Sequence, residues 1–137
     1  MSSPGRLAVR LALLAVALAA VVAIVSWQRT EDDCNEAAAT IGRALGGIGG
    51  GAAELSEARS TLLGGCHASA PVLSAAGALQ GAGRAGEAEP LLRRVLRDEP
   101  DNFGAWATLS LLLADSDPAG ARRARGRALE LNPRAGR

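Results

Sequence analysis

The sequence predicts an all-α chain, with one N-terminal transmembrane helix followed by a short α-solenoid of antiparallel helical hairpins. Three observations carry this. An apolar run near the N-terminus is long enough to cross a bilayer, the C-terminal half repeats itself with a helical period, and strand-forming residues are scarce. Tyr is absent, and Phe103, Trp27 and Trp106 are the only aromatics among 137 residues, poor material for a sheet. The net charge of +1 implies neither a strongly basic nucleic-acid surface nor an acidic solvating tail for the chain as a whole. With the apolar segment set aside, roughly 110 residues remain, enough for one small domain.

The apolar segment comes first. Leu11 to Val25 contains no polar residue, and Arg10 is the single charged residue among positions 7–27. At about 1.5 Å per helical residue this reaches about 30 Å, the thickness of a bilayer core. Arg6 and Arg10 precede the run, and Trp27, Arg29, Glu31, Asp32 and Asp33 follow it. Arg10 can snorkel to headgroups, Trp27 suits an interface, and basic residues favour the cytoplasmic side. The expected layout is a cytoplasmic N-terminus over 1–6, a signal-anchor helix over 7–27 and a juxtamembrane linker over 28–33, with the bulk of the chain outside the cytoplasm. The alternative is a cleaved signal peptide releasing a soluble exported protein. Ala17-Leu18-Ala19 imitates a cleavage site, but a cut there leaves the apolar AVVAIVSW at the new terminus. Ala15, Ala19 and Ala23 fall at the spacing that lets two membrane helices approach closely.

The repeats follow. Aligning Gly83 to Asn102 with Pro118 to Pro133 puts Pro100 over Pro133, a period of about 33 residues, the size of stacked helical hairpins. Trp106, Leu109 and Leu113 share one helical face, and Ala121, Ala124, Ala128 and Leu131 another. One hairpin cannot bury its own apolar face, so neighbours must stack. These residues resemble the tetratricopeptide repeat: Ala105-Trp106-x-x-Leu109, then Ala121, Ala128 and the closing Pro133 in one copy, and Ala88, Leu92, Val95 and Pro100 in the other. The first copy has Val72 and Ala76 where the family carries an aromatic and a glycine. The second is one residue short around Asp115 to Pro118 and has Arg125 at a usually apolar place. The two repeats occupy 68–137. Proline stops each second helix, and Gly83 and Gly86 are expected to form the turn inside one hairpin.

Two repeats are usually too few to stand alone. A third, degenerate hairpin is therefore expected over 34–67: a helix over Glu36 to Leu45, a glycine turn at Gly46 to Gly51 and a helix over Ala52 to Leu63. Cys34 opens this hairpin and Cys66 closes it. Antiparallel packing brings the two together, and outside the cytoplasm a disulfide would close a loop of about 30 residues, contributing roughly 3 kcal/mol by loop-closure entropy.

Chemistry finds little support. One His and two separated Cys do not fill a zinc site. The adjacent pair Cys66-His67 is no catalytic dyad, because a base reaches its nucleophile through the fold. Gly81 to Gly86 matches GxGxxG, yet Leu73 to Gln80 before it reads as helix where a dinucleotide site needs a strand. The glycines at 46–51 lack the lysine of a phosphate loop, and both clusters read as hairpin turns. No cofactor, metal or catalytic activity is expected. Arg122, Arg123, Arg125 and Arg127 read as a solvated face of the last helix.

The resemblance implies protein binding in a groove lined by the first helices of successive hairpins. By register that groove would present Leu73, Gly77, Gln80, Gly104, Ala107 and Leu111. They are small and mostly apolar, and the family's basic carboxylate clamp has no counterpart here, so an apolar or helical segment is the expected ligand. The C-terminal hairpin, followed only by Pro133 to Arg137, is expected to leave Leu111, Leu112, Leu129 and Leu131 partly uncovered and open to self-association.

Overall fold

A computed structural model describes residues 4–136, with side chains from Val9 to Ala135. The first three residues and the Arg6 side chain, part of the expected cytoplasmic tail, lie outside the described region. Every element in it is helical: α1 (Pro4–Leu45), α2 (Ala52–Gly64), α3 (Ser69–Gly81), α4 (Ala85–Asp98), α5 (Phe103–Leu112), α6 (Pro118–Leu131) and a closing 3-10 turn over Pro133–Gly136.

α1 is 42 residues long, about 63 Å at the helical rise, and it does not stop where the apolar run stops. Positions 28–33, expected as a linker, are helical. The physical reason is in the residues: this stretch has no Gly or Pro to break it, and its hydroxyls fold back onto the helix. Ser26 Oγ donates to the Ala23 carbonyl at 2.8 Å and Thr30 Oγ1 to the Ser26 carbonyl at 3.0 Å, a local bond that a helix tolerates. From Val9 to Arg29 the helix is exposed throughout. It is the one described helix long and apolar enough to cross a membrane.

Beyond that span, the last three turns of α1 pair with α2, α3 pairs with α4 and α5 with α6. The short connections make each pair antiparallel. α3 also packs along α1 and α5 against α4, so the three hairpins lie side by side. Their inner turns (46–51, 82–84 and 113–117) share one end of the bundle. The connections between hairpins share the other, the end at which the apolar part of α1 leaves.

One core runs through all three hairpins. Ile41, Leu62, Val72, Leu79, Leu91 and Leu92 are fully buried, and alanines stand where helices cross: Ala75, Ala76, Ala88 and Ala105 have almost no exposed surface. Small side chains let the backbones approach closely while the leucines fill the space between crossings. Within α4, Pro90 removes one backbone donor, yet the helix continues because Ala88, Leu91, Leu92 and Val95 are buried along its inner stripe.

The helix ends follow ordinary capping chemistry. The Asn102 side chain accepts from the Ala105 amide at 3.0 Å and Asp117 from the Gly120 amide at 2.8 Å, with Pro118 in the first turn of α6, each satisfying an otherwise unpaired donor. Gly47, Gly49 and Gly50 have positive φ, which lets the first hairpin turn over a short loop. In the second, Gly83 alone takes that conformation, at φ 72°. Gly86 is not in the turn: it lies inside α4, because the helix starts immediately after Arg84.

Cys34 and Cys66 are paired at disulfide distance, with Cα atoms 5.7 Å apart. Both are buried. The bridge ties α1 to the exit of α2, closing a separation of 32 residues. Beside it, the Arg94 guanidinium reaches back from α4 and donates to the carbonyls of Leu62 and Cys66, binding the end of the first hairpin to the second. Glu87 adds a second link between the same helices, accepting from Arg59 at 3.0 Å while also paired with Arg84.

Two stability outcomes follow from these links. Replacing both cysteines by serine lowers the unfolding free energy of the hairpin domain by roughly 3 to 4 kcal/mol, read by urea unfolding followed by circular dichroism. Arg94→Ala costs about 2 kcal/mol, because two carbonyls in a part-buried site lose a charged donor. Arg94→Lys recovers little of that loss, since a single ammonium does not present the two-armed guanidinium geometry.

Candidate interaction surfaces

The six residues expected to line a concave groove lie on two helices. Leu73, Gly77 and Gln80 are on α3, and Gly104, Ala107 and Leu111 on or beside the matching face of α5. At the lower end the two helices touch: a Cβ added to Gly104 would lie 3.7 Å from Leu73 Cδ1, so these two positions serve partly as a helix crossing. Toward the turn end the face opens. Gly77 is exposed, Gln80 and Ala107 are half-buried, and Leu111 is 67% exposed.

The four leucines expected to be uncovered in the last hairpin separate. Leu112 is a core residue, 7% exposed, because helical phase turns it inward with Ala105 and Leu109. Leu129 and Leu131 are half-buried. Leu111 alone stands out in solvent.

Three further grooves have more pronounced walls. The first runs between α1 and α2 on the side turned away from α3, about 400 Å³ in volume. Its walls carry Asp33, Glu36, Glu54 and Glu57, and its floor Ala37, Thr40, Ala58 and Thr61. Glu36 is paired with Arg43 at 2.6 Å. The second, about 390 Å³, opens between α4 and α6 over α5. Trp106, Leu109 and Leu113 form its base, and Arg93, Arg123 and Arg127 its rim. Trp106 Nε1 donates to the Pro100 carbonyl at 2.8 Å, which fixes the ring and satisfies its polar edge. Arg127 bonds both Asp101 at 2.6 Å and Glu130 at 3.0 Å. The Glu130 hydrogen bond is the largest influence on Arg127 and helps hold its proton affinity above the ordinary arginine value. The third groove lies on the opposite side of α6. Ser110, Leu111 and Ala114 of the α5 end face Ala121, Arg122 and Arg125 across about 300 Å³.

The Cys66 sulfur is paired with Cys34 and so offers no thiolate. His67 is exposed in the connection between hairpins, and among the described residues no group of three or more His, Cys, Asp or Glu is placed to hold a metal ion. The acidic walls of the first groove are spread along two helices instead of converging.

Sequence reasoning did not single out Arg94 or the groove around Trp106, which Asp117 lines together with Arg93, Arg123 and Arg127. Arg94 sits between Arg93 and Arg97, and nothing in the run marks it as the half-buried one. The groove forms from side chains of three helices whose relation is set by packing. A signal was present only for Trp106, a lone large aromatic in a chain of alanines.

No family model, curated protein or solved structure matches the chain. Function must therefore be argued from the fold and its surfaces.

Proposed function

We propose that this chain is a membrane-anchored scaffold of tetratricopeptide type, which binds other proteins at the outer face of a cytoplasmic membrane and carries out no reaction of its own. The observation that carries the reading is the continuity of α1. The helix that is apolar and uncovered from Val9 to Val25 is the same helix whose last turns form the core of the first hairpin. A soluble domain gains nothing from a projecting apolar rod, whereas a bilayer satisfies it completely. The domain is then held against the membrane on a rigid stem.

Orientation rests on two further points. Arg6 and Arg10 flank the N-terminal end of the span, where basic residues favour the cytoplasm. The paired cysteines lie beyond the other end, and disulfides persist in oxidising compartments. Both features favour hairpins on the outer side of the membrane.

The tetratricopeptide reading is supported by the period of about 33 residues, by Ala88, Ala105, Ala124 and Ala128 in closely packed positions, and by three hairpins laid side by side. The exposed part of the α3–α5 face, with Gly77, Gln80, Ala107 and Leu111, is small-surfaced and mostly uncharged. It suits an apolar or helical segment of a partner. Cleavage near Ala19 to release a soluble domain is the competing reading. It leaves the remaining apolar turns of α1 exposed to water with nothing in the chain to cover them.

Two measurements check this function. Protein from cells stays in the membrane pellet after carbonate washing and retains its N-terminal residues by mass spectrometry; a soluble product starting beyond Ala17 to Ala19 establishes the secreted alternative instead. Photo-crosslinking probes at Gly77 and Ala107 capture a specific envelope protein, whereas probes at the exposed Arg97 on α4 do not. Equal, non-selective capture from all three sites rules out the α3–α5 face as the recruiting surface.

A further inference from the structure

The two outermost faces of the hairpin row are complementary to each other. Outside the apolar part of α1, the large hydrophobic side chains left exposed among the described residues are Ile48, at 76%, and Leu111, at 67%. Ile48 lies in the turn of the first hairpin and Leu111 beside the turn of the third, so both stand at the same end of the bundle. Below Ile48, the outer groove of α1 and α2 is walled by carboxylates. Below Leu111, the outer groove of α5 and α6 is walled by Arg122 and Arg125. Glu36 is paired with Arg43, but Glu54, Glu57, Arg122 and Arg125 are all exposed, and none of the four enters an ion pair among the described residues.

We propose that the third hairpin of one copy docks on the first hairpin of a second copy, head to tail, continuing the side-by-side packing of the hairpins from one chain into the next. Register supports this. α2 and α6 are each the second helix of a hairpin, so they run in the same direction. Glu54 and Glu57 are three residues apart near the start of α2, and Arg122 and Arg125 are three apart near the start of α6. A sideways shift of one copy brings each arginine opposite a carboxylate and Leu111 alongside Ile48. The inner faces of the same helices are already committed: Arg59 of α2 pairs with Glu87 of α4, and Arg127 of α6 turns toward the groove over Trp106.

The membrane makes this mode of association cheap. The hairpins are displaced sideways from α1, so the contact direction runs along the bilayer surface, and Asp33 lies only about 12 Å beyond Val25 along the helix. Two copies anchored in one membrane are thus presented to each other edge-on, with the entropy of association already reduced. A heterologous contact of this kind uses different faces on the two partners and extends into a row or closes into a ring.

The inference rests on the anchored-repeat reading, but its test is separate, since carbonate extraction reports on the anchor whatever the assembly state. Full-length protein in mild detergent is examined by sedimentation velocity in three forms: wild type, Arg122→Glu/Arg125→Glu, and Glu54→Arg/Glu57→Arg. All four positions are exposed, and circular dichroism verifies that each form is folded. The expected result is a concentration-dependent oligomer for wild type that weakens with added salt, monomer for each variant alone, and recovery of the oligomer when the two variants are mixed, because each then offers the other an opposite charge. A wild type that stays monomeric overturns the proposal. So does an oligomer that survives in both variants, which places the contact in the membrane helix or elsewhere, and so does a mixture that fails to recover.

Discussion

Everything else in the molecule depends on α1 being a single rigid element with two environments. Its first half has no protein neighbour, while its last three turns are packed by α2 and α3 and bridged to the exit of α2 through Cys34. Had the chain broken at 28–33, the hairpins would hang on a tether and could meet the membrane at any angle. With the helix unbroken, the axis of the bundle follows the axis of the apolar segment, and in the anchored reading proposed above it is therefore set by the axis of the span. The lateral placement of the hairpins, and the end from which each surface faces outward, follow from that one constraint.

The hairpin domain is small, and several of its cross-helix links gather around the first hairpin. Large apolar side chains are few, so alanine crossings bring backbones close and leave only modest volume for leucines to fill. Burial per residue is correspondingly limited in a domain of this size. The links around the exit of α2 offset the shortfall. The Cys34–Cys66 bridge restricts the unfolded chain, and Arg94 satisfies two carbonyls that the end of α2 would otherwise leave partly unpaired. Glu87 holds Arg59 and Arg84 together further along the same pair of helices. The first hairpin, whose sequence least resembles a repeat, is thus the one most heavily tied.

Much of this was legible in the sequence because the signals were local. The all-helical class follows from Ala and Leu at helical spacing and the near absence of aromatics, the apolar span from an uninterrupted run, and the pairing of Cys34 with Cys66 from the antiparallel course of one hairpin. The misreadings came from placing boundaries by function instead of by breakers. Positions 28–33 are polar, as befits an interface, but polarity does not end a helix, and no Gly or Pro stands there. Gly86 looks like a turn residue by composition, yet it lies inside α4, and in that turn Gly83 is the residue with positive φ. Leu111 and Leu112 are adjacent and alike in sequence; the 100° between them on α5 sends one to solvent and the other into the core, and that phase is set by tertiary packing. The grooves were beyond reach for the same reason, each being lined by residues from two or three helices.

The near-zero net charge conceals a separation along the row of hairpins. Carboxylates wall the outer groove of the first hairpin, and arginines crowd the last. Exposed ion pairs within the chain contribute little to stability, so this arrangement is poorly explained as a device for holding the fold together. Arg94 and Arg127 reach across to groups outside their own helices, while Arg122 and Arg125 on the other side of α6 enter no ion pair among the described residues. In a row of side-by-side hairpins, an inner hairpin offers one face to the hairpin before it and another to the hairpin after. At the two ends of this row the faces remain, carrying opposite charge and one exposed apolar side chain each. Charges so placed act best across an interface, where they set orientation and register and disfavour pairing of like faces. The same separation that adds little within one chain therefore becomes directional once a second chain is anchored beside it.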